Sequence, residues 1–98
     1  MKENAYQARL IKRIKSELPG AEVMKLDANY KQGIPDLLIL FKDRWAILEC
    51  KQSASASHQP NQDYYVDHLN GMSFSRFIFP ENEEEVLNDL KSAFGVGG

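Results

Sequence analysis

The sequence has a single cysteine, no long hydrophobic run and no surplus of positive charge, and each absence excludes a class of protein. Cys50 has no partner for an internal disulfide, which suits a reducing compartment. No apolar stretch approaches the roughly 18 residues of a membrane span and no signal sequence is recognisable, so we expect a cytoplasmic protein without a membrane partner. The formal net charge of −2 counts against a DNA-binding domain that relies on electrostatics alone, because such domains are usually basic.

The residues that are present suffice for one globular domain over residues 1–98. Hydrophobic residues make up 43% of the chain and aromatic residues 10%, which allows a modest core and leaves no room for a second domain. His58 and His68 lack the helical spacing or the nearby cysteine of a zinc site, so we interpret them as ordinary polar positions. The chain ends in a glycine-rich segment, which predicts a flexible tail at Gly95, Gly97 and Gly98.

Two apolar runs in the middle of the chain predict a β-hairpin. The first runs over residues 34–41, a polar tip follows at residues 42–44, and the second run begins at Trp45. Charged residues nevertheless occur where buried strands begin and end: Asp36 in the first run, Glu49 and Lys51 at the end of the second. A register that pairs Leu40 with Trp45 also pairs Asp36 with Glu49, with Cβ atoms roughly 4.5–5.5 Å apart.

Two carboxylates this close repel each other, so they would either share a proton or bind a cation. Oxygen ligands favour Mg²⁺ or Mn²⁺, whereas a tight zinc site would use histidine or cysteine. The Cys50 side chain should point to the opposite strand face, so only its backbone carbonyl could join the ligands. Lys51 would then lie beside the ion, where it could orient a water or offset charge on a phosphate. Alternatively, Glu49 and Lys51 form an exposed ion pair and Pro35-Asp36 is an ordinary turn.

The first helix is predicted from about Lys2 to Leu18. Its buried stripe repeats every four residues, at Tyr6, Leu10, Ile14 and Leu18. Glu3 and Gln7 share that stripe, although Glu3 could simply be favoured by the helix dipole. Arg9 and Arg13, with Lys2, form a basic line that suits a DNA backbone or is merely a solvated face.

The second helix is predicted from Pro60 to Leu69, with Pro60 in its first turn and Gly71 as its stop. Gln62 falls on its apolar face, where it requires a polar partner: a water, a phosphate, the Glu49 cluster or a backbone carbonyl. The Ser/Ala-rich segment before this helix, residues 52–58, is predicted to be mobile and to order over DNA. In an earlier loop, Lys31 could contact substrate or be solvated.

The remaining elements complete an α/β fold. Short strands are predicted at residues 22–26 and 75–79, which gives the order αβββαβα, with a mixed sheet flanked by helices. A capping box of Asn82 and Glu85 should begin the last helix, and its apolar face predicts packing or a dimer interface.

The order of these motifs resembles the virus-type replication-repair nuclease (VRR-NUC) domain of the PD-(D/E)XK nuclease superfamily. The resemblance runs from about Glu3 to Phe79 and rests on four segments, which are Glu3 with Gln7, residues 33–37, residues 47–51 and residues 60–62. It implies a restriction-endonuclease-like αβββαβ core followed by a C-terminal helix. Cys50 departs from the small apolar residue that usually stands between the acid and the lysine.

The resemblance also implies roles for single residues. By it, Asp36 and Glu49 bind Mg²⁺ or Mn²⁺ together with Glu3, Lys51 is the catalytic lysine, and Gln62 is the motif glutamine of the catalytic set. Small phage members of this type are similar to homodimeric enzymes that cut branched DNA such as four-way junctions, which would place the protein in the cytoplasm of an infected host cell. The alternative is a non-catalytic DNA-binding or assembly module that retains the fold.

Overall fold

The computed structural model describes residues 2–96, so Met1 and the predicted tail residues Gly97 and Gly98 lie outside the described part. The predicted element order is confirmed, and the bounds are as follows: α1 Glu3–Glu17, β1 Glu22–Lys25, β2 Leu37–Phe41, β3 Arg44–Cys50, α2 Gln62–Met72, β4 Ser75–Ile78 and α3 Glu83–Ala93. No helix among residues 2–96 is long and apolar enough to cross a membrane.

The four strands form one mixed sheet in the order β1-β2-β3-β4. β1, β2 and β3 are antiparallel neighbours, and β4 runs parallel to β3 because α2 provides the crossover between them. The hairpin register is the predicted one, since Leu40 pairs with Trp45 and Leu37 with Leu48. The polar tip is one residue shorter than predicted, because Arg44 already pairs with Phe41 and belongs to β3.

The core lies on one face of the sheet, under α1 and α3. The α1 stripe is buried as predicted, with Tyr6 and Leu10 at 0% and 1% exposure. Leu37 and Leu48 face the same core from β2 and β3, and α3 adds Leu90. Because strand side chains alternate, Glu49 must point to the other face, which α2 covers.

Two of the predicted helix ends are wrong. Asn61 adopts a left-handed conformation with φ 73°, so α2 can begin only at Gln62, and Pro60 lies before the helix. Gly71 does not end α2, which continues to Met72, because an exposed glycine inside a helix costs only ~1 kcal/mol. The helix ends where Ser73 leaves helical geometry and its hydroxyl donates to the Trp45 carbonyl.

The predicted capping box at α3 is also wrong. The Asn82 side chain makes no capping hydrogen bond to the helix. Its Oδ1 accepts a hydrogen bond from the Phe79 N–H, and its Nδ2 donates to the Phe77 carbonyl. Asn82 therefore fixes the turn between β4 and α3, and this use of its side chain competes with capping.

Candidate functional site

Asp36 and Glu49 come together where β2 begins and β3 ends. Asp36 directly precedes Leu37, which pairs with Leu48, so the register brings Asp36 opposite Glu49 as predicted. The backbone carbonyl of Asp36 accepts a hydrogen bond from Leu26 N–H at 2.8 Å, which extends the β1–β2 pairing to this residue. Its side-chain Oδ2 accepts a second bond, at 2.9 Å, from the N–H of Cys50. The Asp36 carboxylate is therefore fixed by the backbone of the neighbouring strand.

The two carboxylates are held where their charges are unfavourable. Glu49 is only 2% exposed, and burial together with the negative charge of Asp36 raises its pKa to about 8, against the opposing effect of Lys51. Burial likewise raises the pKa of Asp36, although the hydrogen bond from Cys50 N–H acts in the opposite direction. At neutral pH the metal-free pair therefore retains a proton that ordinary carboxyl groups would have lost.

Lys51 and Gln62 form a connected polar group with Glu49. The Lys51 ammonium donates to Gln62 Oε1 at 2.7 Å and to the Ser57 carbonyl at 3.1 Å, and it lies 3.7 Å from Glu49 Oε2. Gln62 Nε2 in turn donates to the same Glu49 oxygen at 3.0 Å. The Gln62 side chain at the start of α2 thus bridges the acid and the lysine, which is one of the partners that its sequence position left open.

The segment between Lys51 and α2 is tied down at several points, although its composition predicted mobility. Besides Ser57, the Gln59 N–H donates to Gln62 Oε1 at 2.8 Å. The His58 ring stacks on Phe77 with a centroid distance of 4.2 Å, and its Nδ1 lies 2.7 Å from Asp63 Oδ1. These contacts use backbone groups and a histidine, and no sequence pattern predicted them.

A cavity of about 340 Å³ opens beside these residues. Glu3, Asp36, Glu49, Lys51 and Gln62 all line it, so the predicted acidic residue of the first helix reaches the same cavity as the hairpin. Burial and the charge of Asp36 raise the pKa of Glu3, while Lys51 lowers it. Three carboxyl groups and the Lys51 ammonium therefore line the same cavity.

The chemistry of this cavity fits a hard divalent cation. Glu49 Oε1 is buried and has no hydrogen-bond partner among residues 2–96, so this oxygen lacks a ligand within the protein. Within the described residues, no group of three His, Cys, Asp or Glu side chains is arranged to hold a metal ion. Mg²⁺ is commonly bound through one or two carboxylates, with waters and substrate phosphates as further ligands. Asp36 and Glu49 are the pair that would hold it, while the observed backbone contact of Cys50 is made by its N–H rather than its carbonyl.

The arginines predicted to bind DNA are engaged with carboxylates. Arg13 lies 2.5 Å from Glu17 and from Glu83 and 2.6 Å from Glu84, so its guanidinium ties α1 to the start of α3. Arg9 lies 3.4 Å from Glu83, with half of its side chain exposed. A phosphate contact by Arg13 would have to compete with three existing ion pairs.

Two lysines lie closer to the site. Lys31 Nζ is 5.5 Å from the centre of the Tyr65 ring, one turn of α2 beyond Gln62. Lys25, which the sequence analysis did not single out, is near enough to lower the pKa of Asp36. The signal for Lys25 was its place at the end of β1, opposite Leu37, the residue that follows Asp36.

Comparisons with known protein families, with curated proteins and with solved structures give no significant match to this chain. Any functional assignment therefore depends on the geometry of the site and on the order of its residues along the chain.

Proposed function

We propose that this protein is a Mg²⁺- or Mn²⁺-dependent deoxyribonuclease with a restriction-endonuclease-like core. The observation that carries the proposal is the pair of half-buried Asp36 and buried Glu49, which face each other at the edge of an open cavity with Lys51 3.7 Å from Glu49. The resemblance of the motif order to the virus-type replication-repair nuclease domain adds the substrate, which is the phosphodiester backbone of DNA.

Each residue has a separate part in this proposal. Asp36 and Glu49 would hold the ion, and Glu3 would add negative charge beside it. When bound, a divalent ion stabilises the charge that develops on the phosphate oxygens and lowers the pKa of bound water. An ammonium has three N–H donors, of which Lys51 uses two for Ser57 and Gln62, so one stays available for a substrate oxygen.

Gln62 is a positioning residue in this scheme. It contacts Lys51 through one amide atom and Glu49 through the other, and both contacts are within the protein. Its removal should let the lysine move away from the cavity without removing any group that contacts substrate. The effect on the rate should therefore be smaller than that of removing Lys51 itself.

A non-catalytic role explains the site less well. A buried ion pair contributes little net stability, and replacing the whole pair by well-packed apolar residues is often neutral or stabilising. A fold-stabilising or purely DNA-binding module would gain nothing from a third carboxyl group at the same cavity. Metal binding and hydrolysis, by contrast, need this charge.

Branched DNA and a homodimer complete the proposal. A chain of this size has little surface with which to grip a duplex, and its net charge of −2 weakens long-range attraction. Two copies sharing one substrate would gain effective concentration, and a two-fold axis would present two sites to opposing strands of a four-way junction.

The substitution Lys51→Ala tests the proposal. It should lower the rate of cleavage of plasmid and junction DNA by roughly 10²-fold or more, while DNA affinity changes by only a few fold. Lys12→Ala is the matched control, because it removes the same charge from an exposed position of α1. If Lys51→Ala cuts DNA as fast as Lys12→Ala, the assignment of Lys51 is wrong, and a folded wild type that cuts no DNA with either ion refutes the proposal.

A further inference from the structure

His58 lies at the end of the Ser/Ala-rich segment, shortly before α2. Residues 53–57 are all serine or alanine, so the His58 ring is the first large side chain with which this part of the segment can pack. The side chain is only 35% exposed, although Ser57 and Gln59 on either side of it are exposed residues. The His58 ring is therefore packed against the protein while its neighbours are not.

Two secondary-structure elements hold the His58 ring. Its face stacks on Phe77 of β4, with a centroid distance of 4.2 Å and an interplanar angle of 17°. Its Nδ1 lies 2.7 Å from Oδ1 of Asp63, in the first turn of α2. Phe77 pairs with Glu49 in the register of β3 and β4, and paired residues point to the same face of a sheet. His58 is thus fixed on the strand beside the buried acid of the candidate site.

The residues on both sides of His58 fix the two acceptors of the Lys51 ammonium. Ser57 provides one of them, because its backbone carbonyl lies 3.1 Å from Lys51 Nζ. The other is Gln62 Oε1, 2.7 Å from Lys51 Nζ, and the same oxygen accepts a hydrogen bond from Gln59 N–H at 2.8 Å. Ser57 and Gln59 are joined through His58 alone, so a movement of His58 would displace both contacts.

We propose that His58 is a positioning residue for Lys51. It acts through the backbone of residues 57–59, which its ring holds between β4 and α2; we call this arrangement the His58 clamp. The inference rests on the proposed function and deepens it, because it adds a residue on which hydrolysis depends without contact to the substrate.

The charges around Lys51 explain why its ammonium needs such a clamp. Lys51 Nζ lies 3.7 Å from Glu49 Oε2, which is beyond a direct hydrogen bond. An ammonium released from its two acceptors would be drawn by Coulomb attraction into closer contact with Glu49. The N–H group that is available for a substrate oxygen would then be used within the protein.

A double-mutant cycle on the rate of plasmid cleavage with Mg²⁺ tests this inference. His58→Ala should lower the rate roughly 10-fold, which is less than the loss caused by Lys51→Ala, because the lysine is misplaced rather than removed. In protein that already carries Lys51→Ala, the change His58→Ala should alter the rate by less than about 2-fold, since no ammonium is left to position. His68→Ala is the matched control, because it removes the other histidine of the chain from an exposed position of α2, and it should cut like wild type.

His58→Phe separates the two contacts of the ring. It keeps a ring that can stack on Phe77 and loses the hydrogen bond to Asp63, so it should recover part of the rate that His58→Ala loses. If His58→Ala does not fold, His58→Phe replaces it in the cycle, with a smaller loss expected. Failure of His58→Phe to cut faster than a folded His58→Ala would refute the role of the stack.

Amide hydrogen exchange, measured without DNA or metal, gives a readout that does not depend on cleavage. The N–H of Gln59 should exchange several-fold faster in His58→Ala than in wild type, because its hydrogen bond to Gln62 opens more often. The N–H of Ile47, which donates to the Phe74 carbonyl in the sheet, should exchange as in wild type and shows that the variant is folded. An unchanged exchange rate at Gln59 would overturn the His58 clamp.

The inference is also overturned if His58→Ala cuts as fast as wild type. It is likewise overturned if His58→Ala slows the Lys51→Ala protein by the same factor as wild type, because a loss that does not depend on Lys51 is merely structural. Metal-dependent cleavage that is indifferent to His58 refutes only this inference. A wild type that cuts no DNA, with Gln59 exchange that depends on His58, refutes the nuclease assignment and leaves the His58 clamp in place.

Discussion

Glu49→Gln should make the metal-free protein more stable, and increasingly so as the pH rises. The folded wild type keeps the Glu49 proton until the pH reaches its raised pKa of about 8, whereas the unfolded chain releases it near the ordinary value of 4.5. Between these two values the folded state binds more protons than the unfolded state, so the stability of wild type falls as pH increases. The full difference corresponds to ~5 kcal/mol, which is the upper limit of what the neutral glutamine recovers.

The groups that face Glu49 determine how much of the pH dependence of stability remains in the variant. Asp36 faces it from the start of β2, Glu3 from the start of α1, and Lys51 follows it at the end of β3. Burial, the main cause of the raised pKa of Asp36, remains in the variant, and the Cys50 N–H still opposes it. Gln62 can still donate to the amide oxygen of a glutamine at position 49. The variant should therefore keep the local packing and lose most of the pH dependence that the carboxyl pair creates.

Urea unfolding with chelator, followed by circular dichroism at about pH 5 and about pH 9, measures this effect. The stability difference between Glu49→Gln and wild type should be small at the lower pH. At the higher pH it should reach a few kcal/mol, below the upper limit of ~5 kcal/mol. Glu22→Gln is the control, because it removes a carboxylate from an exposed strand position. A difference that does not grow with pH, or that Glu22→Gln reproduces, would show that Glu49 is not held against its charge and would remove the argument for a cation there.

Three further predictions can be tested, two from the structure and one from the proposed function. Gly33→Ala should lower the free energy of unfolding by ~1–3 kcal/mol in urea unfolding, since Gly33 has φ 91° and no room for a Cβ. Gly71→Ala should raise it by ~1 kcal/mol, because Gly71 lies inside α2 with open space around its Cα. Arg13→Ala should destabilise the fold by ~1–3 kcal/mol by depriving buried Glu83 of its shortest ion pair, yet leave the salt dependence of DNA binding nearly unchanged in a titration. Light scattering should give a dimer at micromolar concentration, with paired nicks on opposing strands of a four-way junction. A monomer that nicks only flaps or ends would contradict the junction proposal alone.

The sequence predicted those parts of the fold that follow from periodicity. Apolar residues at every fourth position of α1 identified its core side chains. Strand alternation on the hairpin identified the sheet faces to which Glu49 and Cys50 point. The register followed from the hairpin geometry, because a short turn fixes which residues pair. The register placed Asp36 opposite Glu49, so the centre of the candidate site was predictable from the sequence.

Contacts that depend on backbone groups or on distant side chains were not predictable. Asn61 has a left-handed backbone conformation, so α2 begins one residue later, and Asn61 lies in close contact with Gly33. No periodic sequence pattern predicts this conformation. Arg13 appeared free on α1 because its carboxylate partners Glu83 and Glu84 lie some 70 residues away in the sequence. The Asn82 side chain likewise had two possible uses, and the turn after β4 prevailed over the helix cap.

The metal dependence of the cleavage rate, measured for wild type beside Glu49→Gln, tests the central claim most directly. Wild type incubated with plasmid and with four-way junction DNA should cut when Mg²⁺ or Mn²⁺ is added, with a rate that rises with ion concentration and saturates. Chelator should stop the reaction, and Glu49→Gln, purified in the same way and folded, should cut at a rate lower by roughly 10²-fold or more. Cleavage that persists in chelator, or that Glu49→Gln carries out at the wild-type rate, would contradict the account.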